Sequence, residues 1–179
     1  MKSIINDLVF FFVNYILNRI PSRTIRQSIY SFITGNKISK NASVGLGVRI
    51  LNIRNVEISA NSNVNFGCVL DGRGGKLVIE SNVDIAPQVN IWTLQHNISS
   101  AFHESQSGNV TLCEGCWIGN RAIILPDTVI GRASVIGAGV TFKGNAESGC
   151  IIVSHRWRIL ERTRSLNKEF KLHSIRRFR

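Results

Sequence analysis

The chain has 179 residues, 44% of them hydrophobic, enough for one packed core, and only three prolines, which excludes a collagenous or linker-like polymer. Its formal charge of +11 is unevenly placed: Arg156 to Arg179 holds nine Lys/Arg against Glu161 and Glu169, while the middle of the chain is nearly neutral. That distribution speaks against a nucleic-acid-binding body and for a basic tail.

The opening stretch MKSIINDLVFFFVNYILNRI predicts a helix with Ser3, Asp7, Asn14 and Asn18 on one narrow stripe and a wide apolar face. Its longest unbroken apolar run is Leu8–Val13, well short of the ~18 residues a spanning helix needs. No small-residue cleavage site follows, so a secretory signal is a poor fit. Two readings stand: a helix capping the rest of the fold, or one lying in a membrane surface. Pro21 opens a second short helix, with Ile25, Ile29, Phe32 and Ile33 at helical spacing and Gly35 as its stop.

From about Asn36 to Gly144 the chain repeats in sixes. Set from Leu112 it reads LCEGCW, IGNRAI, ILPDTV, IGRASV, IGAGVT, and the large apolar residues Leu112, Ile118, Ile124, Ile130, Ile136 and Phe142 recur every sixth position. Two residues before each stands a smaller one: Val110, Cys116, Ala122, Thr128, Ser134 and Val140. A spacing of two keeps both on one face of a strand, and a repeat of six with this layout is that of a hexapeptide β-helix. The step continues backward through Ile91, Ile85 and Ile79, then Leu70, Val64 and Ile58, then Ile50, Val44 and Ile38. These make 15 hexads, or about five triangular coils, with slips near Arg54, at Gly72–Gly75 and at Asn97–Asn109. The period does not give the handedness. The expected organisation is a helical segment 1–35, a β-helix 36–144 and a basic extension 145–179 that ends in a helix-like tail.

Cys68 and Cys116 fall in inward slots. Cys113 and Cys116 form a C-x-x-C, but no second pair or histidine pair completes a zinc site, so packing rather than metal binding is expected. Reduced thiols point to a cytoplasmic protein.

The run IAPQVNIWTLQH ends in His96, where a strand gives way to a 13-residue excursion, Asn97–Asn109. Loops of that length in a compact fold usually carry function. A neutral imidazole, with an intrinsic pKa of ~6.5, can take the proton of a hydroxyl as that hydroxyl attacks a thioester. His103, inside the loop, reads as a surface residue.

IAPQVNIWTLQH followed by CWIGNRAIILPDTVIGRASVIGAGV resembles the hexapeptide-repeat O-acyltransferases, and within them the maltose, galactoside, colanic-acid and other polysaccharide O-acetyltransferases. The resemblance spans roughly residues 36–144. It implies a left-handed parallel β-helix, a homotrimer, acetyl-CoA as donor and a sugar or glycan precursor as acceptor, with no metal and no nucleic-acid partner. His96 matches the family's catalytic histidine. Asp71 matches an acidic residue of the acceptor pocket. Gln88 stands where the family has an asparagine that can touch the acceptor, with Asn90 beside it. Trp117, Gly119 and Ala138 match positions along the pantetheine groove, and Lys143 matches a lysine near the nucleotide phosphate. The family's closing motif is replaced by SHRWR, where Arg158 is the candidate basic group.

A non-catalytic β-helix scaffold is the competing class, and serine or xenobiotic acetylation a variant of the first. His96 and its loop favour the enzyme, because a scaffold needs neither. The apolar N-terminal face and the basic tail together raise peripheral contact with the inner face of a membrane as an expectation.

Overall fold

The computed structural model describes residues 2–97 and 101–153, and the expected helix-like tail with Arg158 lies outside them. The hexads wind into a parallel β-helix with three faces. The first face stacks Ser43–Val44, Asn63–Val64, Asp84–Ile85, Trp117–Ile118, Val135–Ile136 and Ile151–Ile152. The second stacks Arg49–Leu51, Val69–Asp71, Asn90–Ile91, Ile123–Ile124 and Thr141–Phe142. The third stacks Val56–Ile58, Leu77–Ile79, Val110–Leu112, Thr128–Ile130 and Asn145–Ala146. The coil therefore continues past Gly144, and SGCII supplies its last rung.

Register puts like on like. Val64, Ile85, Ile118 and Ile136 form one buried column, Ile50, Leu70, Ile91 and Ile124 a second, and Ile58, Ile79, Leu112 and Ile130 a third. The smaller partners of the repeat, such as Cys68, Cys116, Ala122 and Ser134, are buried at the bends between them. Two of the three corners turn through a left-handed residue on successive coils, Gly67, Gln88, Arg121 and Gly139 at one and Asn61, Asn82, Gly115 and Ala133 at the other, and the third does so at Asn52, Asp127 and Gly144. Glycine and asparagine take that conformation most easily.

All three slips in the count fall at the remaining corner, between the second and third faces. They are the short turn Ile53–Asn55, the loop Gly72–Gly75, and the excursion after Thr93. That excursion carries an antiparallel hairpin, Leu94–His96 against Ser105–Ser107. One edge of the prism thus accumulates the irregular chain while the other two stay regular.

The first coil leaves an open edge of unpaired backbone groups, and the N-terminal segment closes it. Helix α1 (Lys2–Phe11) runs into a π-turn at Phe12–Ile16 and a tight turn at Leu17–Arg19, and α2 (Arg23–Thr34) follows, capped by Ser22 and ended by Gly35 at φ +61°. Of the polar stripe, Asn14 and Asn18 face inward while Asp7 is exposed. Asn14 accepts from Ile50 N (2.8 Å) and donates to Ile50 O (3.0 Å), and Asn18 donates to Val48 O (3.3 Å). On α2, buried Arg26 donates to Val44 O (3.0 Å), and Gln27 accepts from Val44 N (3.2 Å) and donates to Ser39 O (2.8 Å). The physical reason is that unpaired strand N–H and C=O groups cost more to bury than amide side chains cost to place against them. Much of the apolar surface of both helices is left outside.

Candidate active site

The irregular corner is built on Asp71, Thr93 and the residues that tie them. Asp71 ends its strand fully buried, and its Oδ1 accepts from Arg73 N (3.0 Å) and Arg73 Nε (2.9 Å). Its Oδ2 accepts from Thr93 N (3.3 Å), and Thr93 Oγ1 accepts from Gly74 N (3.1 Å). Gly74 packs so closely on Thr93 that a Cβ there would lie 2.1 Å from Thr93 O. The Gly72–Gly75 loop therefore buttresses the segment that reaches His96 three residues later.

His96 stands exposed at the end of its strand, and its Nδ1 lies 2.7 Å from the carbonyl oxygen of His103 across the hairpin. A carbonyl oxygen only accepts, so Nδ1 carries the proton and the lone pair is on Nε2. The His103 ring stands edge-on at 6.3 Å. A histidine held in one tautomer with a basic nitrogen free is equipped to receive a proton.

Beside this corner lies a cleft of about 310 Å³ between α1 and the second face, lined by Asn6, Asp7 and Phe10 on one side and Arg54 and Arg73 on the other. Arg73 was not among the residues singled out in the sequence. Its signal was the D-G-R-G-G run, where a charged residue sits inside a slip of the repeat.

The other expected site residues divide between two corners. Asp71, Trp92, Leu125 and Lys143 occupy equivalent places at the ends of successive rungs of the second face, so exposed Lys143 shares an edge with the His96 hairpin. Trp117 is exposed on the first face, in a column with Val135 and Ile151. Gly119 and Ala138 follow at the corner between the first and second faces. Gly119 is buried under the next coil, and a Cβ on it would meet Ala138 N at 2.5 Å. Within one chain the second face separates this set from His96 and Lys143. Asn90 lies on that face, and Gln88 turns away from it, accepting from Arg121 Nε (2.7 Å) as the two stack in left-handed slots.

The thiols are packed. Cys116 donates to Gly131 O (3.0 Å), and burial raises its pKa; burial pushes Cys68 up to about 11. Among the described residues no group of three His, Cys, Asp or Glu side chains converges.

Residues 109–144 match the family model described as bacterial transferase hexapeptide (six repeats). The chain is 39% identical over 89 residues to "Putative acetyltransferase YJL218W" of Saccharomyces cerevisiae, a match spanning 48% of this chain and 44% of that protein. Its fold is similar to that of the hexapeptide-repeat containing acetyltransferase VCA0836 of Vibrio cholerae, with a TM-score of 0.75 at 17% identity over 92% of this chain and 94% of that one. A second structure of that protein is complexed with acetyl coenzyme A. A galactoside acetyltransferase in complex with coenzyme A is similar with a TM-score of 0.68 at 25% identity, covering 84% of this chain and 74% of that one.

Proposed function

We propose that this chain is an acetyltransferase of the bacterial hexapeptide type, which moves an acetyl group from acetyl-CoA to a hydroxyl of a sugar or glycan precursor. The observation that carries the reading is the pairing of His96 Nδ1 with the His103 carbonyl, which leaves Nε2 as a base on an exposed side chain at the irregular corner. The acetyl donor contributes an activated thioester carbonyl. As the acceptor oxygen bonds to that carbon, its proton passes to Nε2 of His96. The carbon–sulfur bond breaks, and the proton on the imidazolium goes to the departing thiolate. Proton transfer of this kind typically contributes about 10²–10⁴-fold to the rate.

The residues present suit both partners. Exposed Trp117 with Val135 and Ile151 forms an apolar strip for the pantetheine arm, and Lys143 offers an ammonium to a phosphate. On the acceptor side Arg73, Asp7 and Asn6 give the cleft hydrogen-bonding groups of the kind that bind sugar hydroxyls. Asp71 acts there through Arg73, since its carboxylate is buried and spent on Arg73 and Thr93.

The separation of Trp117 from His96 within one chain supports a further part of the reading, a cyclic trimer. Placing the hairpin corner of one subunit against the first face of the next joins the two halves into one cleft. Incubating the protein with labelled acetyl-CoA and a panel of saccharides tests the function. Label should move to a saccharide hydroxyl, and loss of acetyl-CoA without any acetylated saccharide would overturn the acceptor class.

A further inference from the structure

The N-terminal segment buries Val13, Leu17 and Tyr30 in the core, yet it also buries polar groups and leaves large apolar ones outside. Its polar residues Asn14, Asn18, Arg26 and Gln27 are buried against the first coil, while Ile4, Leu8, Phe11, Ile16, Phe32 and Ile33 are exposed. Leu8 and Ile33 line one shallow groove, so the apolar surfaces of the two helices are continuous. Unpartnered surface patches on monomers rarely exceed a few hundred Å², and larger ones mark contact sites.

The direction of this patch follows from what lies beneath it. The backbone groups of an edge strand point along the coil axis, and the helices bond to those groups at Val44, Val48 and Ile50. Their outer surface therefore faces outward along the axis, from the end of the prism. Side-by-side packing of prisms, as in the proposed trimer, leaves it uncovered and sets all copies in one plane.

Charge identifies the occupant. Residues 1–55 carry eight Lys/Arg and a single acidic residue, Asp7, whereas residues 56–155 carry five Lys/Arg and eight Asp/Glu. Arg19, Arg23, Lys37 and Arg54 are exposed on or beside the helices. A second copy placed cap to cap would face like with like, which charge opposes. A nucleic acid would find aliphatic side chains rather than polar groups at the centre. An apolar surface rimmed by cations matches an anionic bilayer, whose headgroups meet the cations while the side chains enter the acyl boundary. No described helix is long and apolar enough to cross a membrane, so the contact is one of lying on the surface.

We propose that α1 and α2 form a docking face for an anionic lipid bilayer. It lies at the end of the coil away from Ile151–Ile152, five strand spacings of ~4.8 Å from that last rung.

The full chain, mixed with phosphatidylcholine vesicles with and without phosphatidylglycerol, is floated on a density gradient. The parent should float with the anionic vesicles, and salt should weaken it. Leu8→Ser and Phe32→Ser should each weaken flotation about tenfold. Both side chains are largely exposed, 63% and 86%, so melting should be unchanged. A parent that stays at the bottom with anionic vesicles overturns the proposal. So does flotation that the two serine variants retain, which would assign binding to the C-terminal stretch. A drop in solution mass in those variants, read by light scattering, would reassign the face to a second copy. None of these outcomes depends on acetyl transfer, which is assayed separately with soluble acceptor.

Discussion

His96 Nδ1 lies 2.7 Å from the backbone carbonyl oxygen of His103, so one histidine orients the other through its main chain. Two neighbouring imidazoles are thereby unequal. His96→Ala removes the base, and kcat should fall by about 10²–10⁴ with KM little changed. His103→Ala keeps the carbonyl and should retain most of the activity. Steady-state kinetics on an accepted saccharide decides it, and equal losses in the two variants would refute the assignment.

A site shared between subunits predicts complementation. His96→Ala and Trp117→Ala chains, each inactive alone, should recover about a quarter of parental activity when unfolded together and refolded as mixed trimers, because that share of interfaces pairs an intact His96 with an intact Trp117. Mixtures as inactive as either variant would place the whole site within one chain.

Asn14 closes both hydrogen-bonding groups of Ile50, and neither has another route to water there. Asn14→Ala should cost about 2–3 kcal/mol of unfolding free energy, and Asn14→Leu no less, since apolar bulk satisfies neither group. Urea unfolding measures this. The exposed neighbour Asn6→Ala should shift the midpoint far less.

Gly119→Ala should damage the coil before it damages donor binding. The added carbon would lie 2.5 Å from Ala138 N, in backbone that cannot yield without parting two rungs. We expect a loss of more than about 2 kcal/mol. A variant that melts like the parent would remove the packing account of this glycine.

Two buried groups set the alkaline limit. Burial pushes Tyr30 up to about 12 and Cys68 up to about 11, so both stay protonated in the folded chain after they would ionise in the unfolded one. Their contribution is whole below about pH 9 and is lost as pH rises through 11 and 12, at up to ~1.4 kcal/mol per pH unit for each group. The Tyr30 hydroxyl has no hydrogen-bond partner among the described residues. Tyr30→Phe should therefore be neutral or stabilising at pH 7 and should flatten the uppermost part of the alkaline decline. Denaturant titrations from pH 8 to 12 read both effects.

Much of this protein is written in its repeat. The column Ile50–Leu70–Ile91–Ile124 follows from a step of six, because side chains two apart share a face and identical rungs stack on identical rungs. The place of His96 at the end of a strand was legible too, since a long excursion there interrupts that step. The slips themselves were visible as counts, but that all three fall at one corner is a property of the closed coil.

What tertiary structure decided lies where groups far apart in sequence compete for one surface. Helical periodicity showed that the N-terminal segments are amphipathic without showing which side faces the coil. A free strand edge needs hydrogen-bond partners more than it needs greasy ones, so Asn14 and Arg26 went inward and Phe32 outward. Arg73 became a cleft residue only when Asp71 and α1 were brought to it. The tautomer of His96 was set by a carbonyl seven residues away, through a hairpin whose pairing no repeat predicts. The sequence alone determines the coil, because its information is local and periodic. The site depends on unlike segments meeting at one edge, and only the folded chain specifies that meeting.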